Sequence, residues 1–124
     1  EKVSAANCLI RNAEQEVLGF THNTVGTWVA EKWRLPPTLL HSIQFHHRPE
    51  QARENREMVC AVHLGDIFAR SLGIGAAGDN RMPEIKTSVW QLYNLTAKFL
   101  DATLAAMLEE LKKAKEFFDL IESQ

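Results

Sequence analysis

The sequence predicts an all-α protein, an irregular orthogonal array of five to six helices. Three observations predict it. Apolar residues recur at spacings of three and four along most of the chain, which is the mark of amphipathic helices. No stretch sustains the two-residue alternation with β-branched enrichment that a strand needs. Four of the six glycines and all four prolines fall at or between the ends of the periodic segments.

Residues 1–17 place Val3, Ala6, Ile10, Ala13 and Val17 on one helical face, and Gly19 suits a left-handed cap. Thr21 is the predicted N-cap of a second helix over 22–34, with Val25, Val29 and Trp33 along one side and Trp28 beside them. Gly26 lowers helix propensity there, so a close neighbour is expected at that point. Pro36-Pro37 opens a third helix, because proline fits a first turn. It runs to about His46 with Leu39, Leu40 and Ile43 inward, and Arg48-Pro49 ends it. The fourth helix, 55–72, is the most apolar, carrying Val59, Val62, Leu64, Ile67, Phe68 and Leu72. A glycine-rich loop follows from 73; it lacks the GK[ST] of a phosphate loop. Ser88 to Gln91 reads as a capping box on a short helix. The last helix has the clearest stripe, from Ala97 through Leu100, Leu104, Met107, Leu111, Ala114 and Phe118 to Ile121, with Asp101 as the expected cap.

A chain of 124 residues is one domain's worth, and 45% apolar residues suffice for a core. The net charge of −2 excludes the basic footprint of a nucleic-acid binder. Lys112, Lys113 and Lys115 alternate with Glu109, Glu110 and Glu116 and read as a solvated helix face. No apolar run is long enough for a bilayer. Cys8 and Cys60 have no metal-finger spacing and read as reduced thiols of a cytoplasmic protein.

Chemistry, if any, rests on the histidines and one acid. His46 and His47 are adjacent at the end of the third helix, His22 opens the second, and His63 lies three residues before Asp66. Imidazole with carboxylate suits zinc, iron or manganese; a polar helix end facing solvent explains the His46-His47 pair equally well. Asp66, inside the most apolar helix, needs a partner: a histidine, an arginine, a helix N-terminus or a metal. The nucleophile-elbow GxSxG and the zinc motif HExxH are both missing from the sequence.

The order Leu18-Gly19, His22, Val25-Gly26, Trp33, Leu35-Pro36, Ile43, His46-His47, Pro49, then Val62-His63-Leu64-Gly65-Asp66 resembles the HDOD domain, the HD-related output domain of bacterial signalling proteins. That family is related to the HD and HD-GYP metal-dependent phosphohydrolases. The resemblance implies that His22, His46, His47 and Asp66 descend from a metal-ligand set, complete or partial, whose ion would be divalent Fe, Mn, Zn or Mg. It also implies departures. The chain has no His-Asp doublet, Arg48 stands where HD-GYP proteins carry glutamate, and no GYP follows. The resemblance therefore implies a cytoplasmic regulatory domain that works through protein partners, with no catalytic residues and no required cofactor, and with no nucleic acid or membrane. The rival readings are a phosphohydrolase completed by a missing N-terminal half, and a plain interaction module with structural histidines. On this reading residues 1–124 are one helical domain, the C-terminal part of a longer HDOD domain. The stripe of Val3, Ala6, Ile10 and Val17 is then left bare, and self-association into a homo-oligomer is expected.

Overall fold

The computed structural model describes residues 8–76, 78–79 and 81–122. Six α-helices and one 3₁₀ turn occur among the described residues: α1 (Ile10–Leu18), α2 (His22–Lys32), α3 (Pro37–Phe45), the turn Pro49–Gln51, α4 (Arg56–Ser71), α5 (Thr87–Tyr93) and α6 (Ala97–Glu122). No strand occurs among them, so the expected all-α array is what forms. The chain divides into two compact units, Glu1–Leu92 and Tyr93–Gln124.

In the first unit, α1 stops at Gly19, whose φ of 78° is left-handed, and its amide donates to the Gln15 carbonyl at 3.2 Å. The start of α1 is held from far along the chain. The Ile10 amide donates to Asp79 Oδ2 at 2.7 Å. Burial would raise the Asp79 carboxyl, but the Ile10 and Arg81 amides and Arg70 outweigh it and hold the group below its ordinary value. Of α1 only Ala13 is buried, and Val17 and Leu18 are exposed. Val3 and Ala6 lie outside the described residues.

Thr21 does cap α2, and its amide donates to Thr24 Oγ1 at 3.5 Å. The packed face is not the one the apolar spacing indicated. Val25, Trp28, Val29 and Trp33 are exposed, whereas Asn23, Thr27 and Ala30 are buried. The reason is close approach. A Cβ on Gly26 would stand 2.7 Å from Ile43 Cγ2, so α2 lies against α3 along small residues that larger side chains could not line. The polar members are satisfied locally: Thr27 Oγ1 donates to the Asn23 carbonyl at 2.8 Å, and Asn23 Nδ2 to the Ile43 carbonyl at 2.9 Å.

Pro37 occupies the first turn of α3, which packs against both α2 and α4. Ser42 is its buried residue; Leu40 and Ile43 are half-buried and Leu39 is exposed, against expectation. Helix α4 buries Val59, Cys60, His63, Leu64, Ile67 and Phe68, while Val62 faces solvent. Burial raises the Cys60 thiol, and both cysteines are free. Helix α5 begins at Thr87, so Ser88 lies inside its first turn rather than at the N-cap.

In the second unit, α6 starts earlier than expected. Thr96 Oγ1 accepts the Phe99 amide at 3.1 Å, so Thr96 is the cap and Asp101 is within the helix. Leu100, Leu104, Met107 and Leu111 are half-buried, and the side chains of Phe118 and Ile121 lie outside the described residues. Lys112 pairs with Glu109 and Lys113 with Glu110, each at 2.7 Å in solvent, as a solvated face should. No helix among the described residues is long and apolar enough to cross a membrane.

Candidate metal centre

His22 is the first residue of α2, His46 caps the end of α3, and His47 follows it into the turn. Because α2 and α3 pack closely through Gly26, the start of one helix lies beside the end of the other. One ring nitrogen from each of His22, His46 and His47 falls within 4.8 Å of the others. His22 Nε2 and His47 Nε2 are 2.9 Å apart. Asp66, from α4, places Oδ2 3.9 Å from His47 Nδ1. The structure thus brings the three histidines into one group and sets Asp66 against His47. His46 and His47 do not form a solvated helix end, since both are half-buried.

The hydrogen bonds determine which nitrogens are free. His22 Nδ1 donates to Glu14 Oε2 at 2.7 Å, and the same oxygen accepts the His22 amide at 3.0 Å. Burial would raise Glu14, yet these two bonds hold its carboxyl below the ordinary value. His46 Nδ1 lies 3.0 Å from both the Ser42 and Ile43 carbonyls and therefore carries the hydrogen. Both rings are consequently Nδ1–H tautomers, anchored through the far nitrogen as metal-bound imidazoles are, and the His22 Nε2 lone pair faces His47 Nε2. Burial, then the neighbouring His46, pushes His47 down to about 4 despite Asp66, and burial likewise lowers His46.

Asp66 has two distinct oxygens. Oδ1 accepts from Arg70 Nε at 3.4 Å. Oδ2 is buried with no hydrogen-bond partner. Asp66 thus has an arginine partner on one oxygen and an unspent acceptor on the other. His63 has no such freedom. Its Nδ1 donates to the His46 carbonyl at 2.6 Å and its Nε2 accepts the Lys86 amide at 3.3 Å, so it is a structural core residue that positions His46. Glu14 was not singled out in the sequence. Its signal is an acid one turn before the Gly19 cap, which the chain reversal returns to the start of α2.

The family model of the HDOD domain matches residues 1–49. Those residues hold α1 to α3 and three of the four converging side chains, so the resemblance read from the HDOD motifs is supported there. The HDOD match ends at Pro49, before α4 and Asp66. Neither a curated protein nor a solved structure matches the chain.

Proposed function

We propose that this chain is an HD-related regulatory domain in which His22, His46, His47 and Asp66 hold a divalent metal ion, and which acts through protein contact without hydrolysing phosphoesters. The observation that carries the reading is the buried, unpartnered Asp66 Oδ2 beside converging imidazole lone pairs. In the metal-free protein, a hydrogen on His47 Nε2 donates to His22 Nε2. It leaves Asp66 Oδ2 bare. A divalent cation satisfies the three rings, and Asp66 Oδ2, 3.9 Å from His47 Nδ1, supplies the negative charge beside it or closes on it by a side-chain rotation. A set of three nitrogens and one oxygen favours zinc, iron or manganese over magnesium, which prefers oxygen. When bound, the ion supplies a fixed positive charge that ties α2, α3 and α4.

Turnover needs more than an ion: an open position, a supporting shell and residues that bind and orient the ester. The missing His-Asp doublet and the arginine directly after His47 argue against that assembly. What α2 offers instead is an open apolar row. Trp28 is 56% and Trp33 70% exposed, Val25 and Val29 are open, and the Phe20 ring lies tilted 6.0 Å from Trp28. Aromatic side chains of this kind anchor protein interfaces.

Two measurements test the proposal. Equilibrium dialysis of the purified chain against zinc or manganese should show stoichiometric uptake that His46→Ala abolishes. The loaded protein should leave phosphodiester substrates intact; turnover lost in His46→Ala would move the chain to the phosphohydrolases. For the contact face, sedimentation should show concentration-dependent association that Trp28→Glu removes. A monomer at every concentration leaves α2 without a second copy as its partner.

A further inference from the structure

Beside the histidine cluster lies a cavity of about 460 Å³, within the range that small ligands occupy. Five basic side chains line it against two acidic ones, Glu50 and Glu84, and His47 forms part of its wall. One of the five, Arg70, already pairs with Asp66 and Asp79. Arg11 and Arg48 are different. Neither makes an ion pair among the described residues, and Arg11 Nε is buried with no hydrogen-bond partner. The acid best placed to serve Arg11, Glu14, binds His22 instead.

The two guanidinium groups also act on each other. Burial first, and then Arg48, lower Arg11 from its ordinary value. An arginine does not relieve such repulsion by losing its proton. Glu14 and Glu50 offset this repulsion only in part, since Arg11 stays lowered, and an anion that joins the two guanidinium groups would relieve the rest. Planar guanidinium forks match the oxygens of a phosphoryl group, two bonds at a time. Arg48 is also the residue that departs from the HD-GYP pattern: a cation next to a metal cluster repels metals but attracts an anion bound beside them.

We propose that Arg11 and Arg48 form an anion site in this cavity, which takes a small phosphorylated molecule with at least two negative charges beside His47. The site goes beyond the metal reading and stands without it, since neither arginine is a metal ligand.

Calorimetric titration of the full chain in chelator, with pyrophosphate as the probe at matched chloride ionic strength, tests the site apart from the metal. Wild-type protein should bind, and bind pyrophosphate more tightly than inorganic phosphate. Arg11→Gln and Arg48→Gln should each weaken binding by about tenfold or more, the loss of a charge-assisted bond. Arg48→Lys, which keeps the charge and loses the fork, should fall between. The exposed control Lys112→Gln should bind as wild type. Unfolding midpoints without anion should be no lower in the two glutamine variants, because a repulsion has been removed; a purely structural arginine would lower them. No binding by wild type, or equal binding by wild type, Arg11→Gln and Arg48→Gln, would overturn the assignment.

Discussion

Gly26→Ala tests the helix contact on which the histidine cluster depends. The added methyl would stand 2.7 Å from Ile43 Cγ2, far inside the roughly 3.5–4.0 Å at which two carbons rest. Cγ2 is fixed to a branched Cβ, so it cannot swing aside without rotating the whole side chain. Either α2 moves off α3 or Ile43 leaves its rotamer, and overpacking of this kind costs about 1–3 kcal/mol. Alanine returns about 0.8–1.0 kcal/mol of helix propensity. The net expectation is a loss of up to about 2 kcal/mol, read from urea midpoints at constant slope. Ile43→Ala removes the clashing methyl. In that background the same glycine substitution should change sign and stabilise by about 1 kcal/mol, so the double-mutant cycle carries a coupling of about 1–3 kcal/mol. If Gly26→Ala stabilises the protein equally with and without Ile43, the close approach does not exist and the cluster has lost its structural basis.

Other expectations follow from the same contacts. His63→Leu strips the His46 carbonyl and the Lys86 amide of their partner and should cost about 2–4 kcal/mol, measured by the same unfolding curves. Asp79→Ala leaves the Ile10 and Arg81 amides without this acceptor and takes one of two carboxylates from Arg70; a loss of about 1–3 kcal/mol is expected, and a loss within error would refute the cap. In chelator, stability should be full above pH 6.5 and fall as pH drops toward 4. The fold holds His46, His47 and His63 below their ordinary value, so the unfolded chain takes up protons first. The slope is about 1.4 kcal/mol per pH unit for each ring, and a flat profile between pH 7 and 5 would show that the rings protonate freely in the fold.

Much of the fold can be read from local chemistry. Gly19, Thr21 and Pro37 end, cap and start helices for reasons that lie within a few residues, and the structure places them so. The packed face of α2 could not be read in that way. Apolar spacing points to Val25, Val29 and Trp33, but the contact with α3 selects small and polar residues because it is close. The cap of α1 was equally hidden, since Asp79 is 69 residues away from Ile10. The cap of α6 is Thr96 and not the expected Asp101, because Thr96 Oγ1 accepts the Phe99 amide. At the site, histidine and aspartate stood out because buried charge is expensive. Glu14 did not, because an acid on an exposed helix usually means nothing until a chain reversal puts it beside a ring.

The central claim is that Nδ1–H tautomers of His22 and His46 leave their Nε2 atoms for a metal shared with His47. Nitrogen NMR of the imidazoles, with and without zinc, tests it directly. The account predicts that His22 and His46 keep Nδ1 protonated throughout, that zinc shifts Nε2 of both rings, and that the His47 ring responds at the same stoichiometry. Nε2–H on His46 in the metal-free protein, or three rings indifferent to zinc, would contradict it.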